Sequence, residues 1–205
     1  MVDQVADEQR RVGVVANQPK YLGGVLDADS GTKAARFVRT CNAFGLPLVV
    51  LVDTPGFMPG TRQEQGGVIR HGAKLVHAFA EAQVPKVTVV LRKAFGGAFI
   101  AMNSRDLGAD YTFAWPGATL GVMGAKQAVG IVNRRDIAAA EDPEMAREEF
   151  AARYTEEHLS AGTAAAEGYV DEVIEPTGTR RRLIESLNTL DSVAAPAAGI
   201  RNIPL

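Results

Sequence analysis

Three glycine-bearing segments hold most of the chemical potential of this sequence: Asp53-Thr-Pro-Gly56, Arg92-Lys-Ala-Phe-Gly96-Gly97-Ala98-Phe99 and Gly121-Val-Met-Gly124-Ala-Lys-Gln-Ala128. In the second, a β-branched run passes into an apolar helix through two glycines. Free N–H groups at a helix start carry partial positive charge. With no side chain on Gly97, a ligand oxygen can approach those amides, which is how an oxyanion hole is made from backbone alone. A Gly-Gly pair on its own fits a plain strand-to-helix turn at least as well. The third segment likewise places small residues at a helix start, and its spacing is satisfied by close helix packing. The first matches the Asp-x-x-Gly switch of GTPases in isolation. That reading needs a Gly-x4-Gly-Lys-[Ser/Thr] phosphate loop upstream, and the sequence has none. Asn133-Arg-Arg-Asp136 departs from a guanine-reading motif by an Arg where Lys is required. A strand-ending turn remains, with Pro55 fixing one dihedral and Gly56 permitting an unusual one.

What is missing narrows the chemistry. There is no Gly-x-Ser-x-Gly nucleophile elbow. His71, His77 and His158 are scattered, and no carboxylate pair stands beside the glycine loops. Any catalysis here relies on oriented main-chain dipoles rather than a resident acid or base.

The elements that must hold these segments alternate between strand and helix. Strands are expected at Val12–Ala16, more weakly at Leu22–Leu26, and at Leu48–Val52, Val87–Leu91 and Tyr111–Trp115. Two of these, Leu48–Val52 and Val87–Leu91, are continuously apolar, as in a parallel sheet covered on both faces. A helix capped by Asp29 or Ser30 carries Ala34, Phe37, Val38, Cys41 and Phe44 at helical spacing and ends at Gly45. A glycine-rich loop, Thr54–Gly67, leads to a second helix with Val68, Ile69, Leu75, Val76 and Phe79. Further helices are expected at Gly124–Val132, Pro143–Leu159, Ala161–Gly168 and Arg180–Leu190, with an extended stretch at Tyr169–Ile174. The pattern is α/β with parallel pairings. Residues 1–10 read as a flexible arm, 11–192 as the single domain, and 193–205 as an Ala/Pro-rich tail.

A chain of 205 residues builds one sizeable core. Its formal net charge of −2 gives no polybasic footprint for nucleic acid or an anionic membrane. Cys41 is the one cysteine, and no Cys/His cluster has metal-ligand spacing. No apolar run reaches membrane-spanning length and the N-terminus is polar, so a cytoplasmic protein is expected.

Taken together, the segments are more specific than any alone. Asp53-Thr-Pro-Gly-Phe57-Met-Pro-Gly60-Thr-Arg-Gln63-Glu64, Gly66-Gly-Val-Ile-Arg-His71-Gly-Ala-Lys74, Arg92-Lys-Ala-Phe-Gly-Gly-Ala98, Ala114-Trp-Pro116, Val122-Met-Gly-Ala-Lys-Gln-Ala128 and Gly168-Tyr-Val-Asp-Glu-Val-Ile-Glu-Pro176 resemble the carboxyltransferase β chains of acetyl- and propionyl-CoA carboxylases. The C-terminal Asn202-Ile-Pro-Leu205 is similar too. The resemblance implies a crotonase/ClpP-like spiral of ββα units. It also implies that only the second of the family's two such domains is present. In that family the second domain receives carboxybiotin from a carrier protein, and adjacent strand-to-helix amides bind the ureido oxygen. Carried over, these are Gly97 and Ala98, with Gly56, Phe57, Gly96, Phe99 and Ile100 lining the substrate cleft. The biotin anion then removes the acyl α-proton itself, which accounts for the missing base. Ile100 stands where family members carry an aspartate or an apolar residue beside the acyl tail, and implies an acetyl-CoA-like or broader acyl preference.

The implied cofactor is biotin on a carrier, the substrate an acyl-CoA, and no metal is expected. The implied partners are a biotin carboxyl carrier or biotin carboxylase subunit, a separate first-half domain that binds acyl-CoA, and further copies of the chain in a dimer or trimer. Two other functions fit the sequence. A non-catalytic assembly paralogue would keep the fold, although the intact Gly96-Gly97-Ala98 disfavours it. A stand-alone crotonase-fold hydrolase or decarboxylase would need an acid or base near the glycine turn, and none is evident.

Overall fold

The two continuous β-branched runs lie in the middle of a sheet, as their lack of a polar face requires. A computed structural model describes residues 10–191. Six strands, β1 (Gly13–Ala16), β2 (Leu48–Thr54), β3 (Lys86–Phe95), β4 (Tyr111–Ala114), β5 (Thr119–Gly121) and β6 (Glu172–Val173), form the sheet among these residues. The order is β1-β2-β3-β4-β6, with β5 attached to β3, and every pairing is parallel. Nine α-helices accompany them among the described residues: α1 (Ala28–Ala43), α2 (Thr61–Gln65), α3 (Val68–Glu81), α4 (Gly96–Ala101), α5 (Ala125–Val132), α6 (Arg134–Ala139), α7 (Pro143–Tyr154), α8 (Ala161–Ala166) and α9 (Thr179–Asp191).

The core has two sides, one on each face of the sheet. Val50, Val52 and Val90 meet Val38 and Cys41 of α1, Leu75 and Phe79 of α3, and Ala98 and Ala101 of α4. On the other face Val49, Val87, Val89 and Phe113 meet Leu187 of α9. A smaller cluster of Val129, Ile137 and Ala151 holds α5, α6 and α7 together. Cys41 is buried with its Sγ where a β-carbon on Gly13 would collide with it, and burial pushes its pKa up. No helix among the described residues is long and apolar enough to cross a membrane.

Several expectations are corrected. The expected Leu22–Leu26 strand is a single 3-10 turn over Leu22–Gly24, because Leu22, Gly23 and Gly24 all adopt positive φ (48°, 67° and 85°). Only Leu26 keeps strand character, in an isolated parallel bridge to Phe57. The cap of α1 is Asp27 rather than Asp29 or Ser30. Its buried side carries Gly31, Ala35, Val38 and Cys41, leaving Phe37 and Phe44 exposed. Small residues are needed there because α1 crosses α3 closely: a β-carbon at Gly31 would stand 3.3 Å from the His71 carbonyl. β3 continues four residues past Leu91, α6 and β5 were not anticipated, and the expected Pro143–Leu159 helix changes to a π-helical turn over Thr155–Leu159. Residues 1–9 and the tail at 193–205 lie outside the described residues. Arg10, placed in the arm by the sequence, donates to the Leu187 carbonyl and pairs with Asp191.

The α1 cap is a reciprocal box. Ser30 N donates to Asp27 Oδ1 at 2.8 Å, and Asp27 N donates to Ser30 Oγ at 2.9 Å. The Ser30 hydroxyl and amide hold the Asp27 carboxyl below the ordinary aspartate range. A depressed carboxyl pKa stabilises the fold above the unfolded-state pKa of about 4 and loses that contribution as pH falls through the folded value. Asp27→Ala is therefore expected to cost about 1 kcal/mol at neutral pH. In denaturant melts the gap to the unsubstituted chain should close as pH is lowered below about 4.

Candidate active site

The two motifs Asp53-Thr-Pro-Gly56 and Arg92–Phe99 are brought side by side by the parallel pairing of β2 with β3. Their charged residues pair: Arg92 Nη2 lies 3.0 Å from Asp53 Oδ2, and Arg92 Nε donates to both carboxylate oxygens. Asp53 is buried, so the guanidinium compensates a charge withdrawn from water. Asn17 completes the anchorage, accepting from Asp53 N at 3.1 Å and donating to the Gly24 carbonyl at 3.3 Å. A β-carbon on Gly24 would strike the Asp53 carbonyl, which is why the 3-10 turn needs glycine there. Asp53 is thus a structural tie between strand ends.

Beyond the pair, β2 ends in a turn around Gly56, whose φ is 142°. Gly56 N donates to Thr54 Oγ1, and the Gly56 carbonyl accepts from Leu26 N at 3.0 Å. Met58 N donates to the Leu26 carbonyl at 2.7 Å. In this bridge Leu26 binds on both sides of Phe57, so the Phe57 N–H points away from it, and it has no hydrogen-bond partner among the described residues. This unpaired amide is not legible in the sequence, because it depends on the Leu26 bridge across 31 positions of chain.

β3 ends at Phe95, the N-cap of α4, and Gly96 turns the chain with φ 60°. Gly97 and Ala98 are the second and third residues of α4, where an α-helix has no internal acceptor four residues back. No side chain caps this end. The two amides differ in access. Gly97 is exposed, whereas Ala98 has no exposed surface. The two residues expected to supply adjacent donors thus sit in unlike surroundings. Ile100 shares the exposed side of α4 with Gly97, and Phe99 packs against the core.

The Phe57 ring joins the two turns. It lies 3.6 Å from the position a β-carbon on Gly97 would take, and 2.9 Å from the corresponding position on Gly72 of α3. The expected residues Gly56, Phe57, Gly96, Gly97 and Ala98 are thus assembled in one place. The loop after β5 joins them, its Val122 carbonyl standing 3.2 Å from the β-carbon position of Gly96. No group of three or more His, Cys, Asp or Glu among the described residues is arranged to hold a metal ion.

A parallel sheet whose longest strand delivers main-chain donors to a glycine turn is the crotonase-like fold of the carboxyltransferases. The chain belongs to the carboxyl transferase domain family, which it matches over residues 8–199. It is 54% identical over 202 residues to the biotin-dependent acetyl-/propionyl-coenzyme A carboxylase beta6 subunit of Mycobacterium tuberculosis, covering 96% of this chain and 41% of that protein. It is 50% identical over 198 residues to the methylmalonyl-CoA decarboxylase subunit alpha of Propionigenium modestum, covering 96% and 38%. The transcarboxylase 12S hexamer structure, with methylmalonyl-coenzyme A and methylmalonic acid bound, superimposes with a TM-score of 0.86 at 49% identity, over 95% of this chain and 38% of that one. The chain thus spans about two-fifths of the length of these relatives.

Because Gly72 leaves the space into which the Phe57 ring fits, Gly72→Ala should displace that ring. Overpacking of this kind costs about 1–3 kcal/mol. The expected outcome is a lowered melting temperature together with shifted Phe57 and Gly97 amide resonances in a 1H–15N spectrum.

Proposed function

We propose that this chain is the biotin-side half of an acyl-CoA carboxyltransferase and works with a separate acyl-CoA-binding half. The observation that carries this reading is the seating of the Phe57 ring against Gly97, which sets the turn holding the unpaired Phe57 N–H beside the turn that opens α4 with an uncapped N-terminus. A carrier-borne biotin supplies the carboxyl group through its ureido ring, whose oxygen gains negative charge as that group leaves. The cradle suits such a ring: at Gly96 a β-carbon would press on the Val122 carbonyl, and at Gly97 one would stand against Phe57. Preorganised N–H donors at the developing charge need no reorganisation during reaction. Gly97 is placed to donate first. Ala98, having no exposed surface, donates only once neighbouring side chains part.

The relatives include a carboxylase subunit and a decarboxylase subunit, and in this proposal the same donors serve carboxyl transfer in either direction. The partners in this proposal are a biotin carboxyl carrier or biotin carboxylase subunit and the acyl-CoA-binding half, in the cytoplasm. The chain itself associates as a dimer or trimer. Ile100, at 47% exposure beside Gly97, faces the acyl tail and sets its preference toward acetyl-CoA or a broader range.

Titration of the 15N-labelled chain with biotin methyl ester should move the Phe57 and Gly97 amide resonances, and Gly97→Val should abolish those shifts while leaving the melting temperature nearly unchanged. When the chain is combined with an acyl-CoA-binding half and a carboxylated carrier, malonyl- or methylmalonyl-CoA should form. In that assembly Gly97→Val, which keeps the N–H but fills the approach to it, should lower kcat by about 100-fold or more, a loss like that of one oxyanion donor. Absence of shifts at both amides with the unsubstituted chain would refute the reading. In the same assembly, Ile100→Asp should change the ratio of kcat/KM values for acetyl- and propionyl-CoA. An unchanged ratio removes Ile100 from the acyl site.

A further inference from the structure

We propose that the cavity between β1 and α1 is a binding site for an adenine nucleotide. None of Gly56, Gly96 and Gly97 lines it, and it stands independently of the carboxybiotin reading. β1 ends the strand order, with β2 on one side and no strand on the other among the described residues. Gly13 N and Asn17 N donate to the carbonyls of Pro47 and Leu51, so the odd-numbered residues bond toward β2. Main-chain groups alternate in direction along a strand as side chains alternate between its faces. The N–H and C=O of Val14 and Ala16 therefore point away from β2. Both residues line a cavity of about 700 Å3, the size of a small-molecule site. The Val15 side chain joins the core on the α1 face, which turns those of Val14 and Ala16 to the other face. It is thus their main-chain edge that fronts the cavity.

A C=O at Val14 followed two residues on by an N–H at Ala16 complements adenine, whose amino group donates beside a ring nitrogen that accepts. The rest of the cavity suits what such a base carries. Its floor is apolar, with Leu26 and Met102 buried. Two aromatic side chains stand at its rim, Tyr21 at 68% and Phe37 at 41% exposure. Aromatic faces stack on bases. Asp27 is committed to the cap of α1 through its bonds from Ser30. Asp29 and Lys33, one turn apart on α1, also line the cavity. Neither has an ion-pair partner among the described residues. A carboxylate accepts from ribose hydroxyls, and an ammonium meets phosphate. A peptide strand laid on β1 would find only two outward residues and would leave these charges unused.

The 15N-labelled chain is titrated with ADP and with adenosine 3′,5′-bisphosphate, the nucleotide end of coenzyme A. Either should shift the Ala16 amide resonance and slow its hydrogen exchange. Both probes carry the shared chemistry, and the tighter of the two names the source, a free nucleotide or a CoA thioester. GDP should bind about tenfold more weakly or worse, because guanine presents its donor and acceptor in the reverse order. Phe37→Ala should raise the Kd for ADP by about tenfold, the loss of one stacking face. Lys33→Gln should weaken ADP and leave adenosine unchanged. Both side chains are exposed, so neither substitution should alter the melting temperature. No Ala16 shift with either adenine probe, equal binding of GDP and ADP, or an unchanged Kd for ADP in Phe37→Ala overturns the assignment. So does slowing of Ala16 exchange with protein concentration instead of nucleotide, which would mean that a second copy pairs with β1. The Phe57 and Gly97 shifts with biotin methyl ester are read separately, so the two readings fail independently.

Discussion

The architecture of the site depends on β3 changing partners. Over Val87–Val90 the strand pairs with Tyr111–Ala114 of β4, and over Lys93–Phe95 it pairs with Thr119–Gly121 of β5. A parallel ladder fixes which residues lie side by side. The change of partner therefore determines that two glycine turns, at Gly96 and after Gly121, emerge next to each other. At the position of the switch, Arg92 leaves the core and binds the carboxylate of Asp53 from the neighbouring strand. That pair ties the Gly56 turn to the Gly96 turn. The functional groups proposed here are main-chain amides, and main-chain amides are positioned only by the ladder and the ties that hold it.

Much of the fold was legible from local pattern. The runs at Leu48–Val52 and Val87–Leu91 lack any alternation, and they are the strands covered on both faces. Cap and periodicity marked α1, α3 and α9 to within a few residues. What escaped notice depends on distant chain. β5 is three residues long and exists because the end of β3 offers it a free edge. The π-helical turn allows Leu159 to reach Gly121, a contact that no helical periodicity encodes. Leu22–Leu26 has strand-like composition, but three successive positive φ angles are imposed where the chain passes under the Asp53 carbonyl.

The site was legible in a similar, partial way. Gly96-Gly97-Ala98 and Gly56-Phe57 stood out as turns, and they do converge. The free donor on Phe57 did not stand out, since it is left unpaired by a bridge from Leu26. Nor did the difference between Gly97 and Ala98, which arises from packing around consecutive residues of one helix.

The close seat of Cys41 against Gly13 gives the molecule an internal clock. Only a thiolate reacts with alkylating reagents, and this thiol is both shielded and held protonated by its apolar surroundings. Reagent can reach it only when the packing around α1 opens. The alkylation rate of the native protein, set against that of the unfolded chain, thus follows the opening of this packing without any probe having to be introduced.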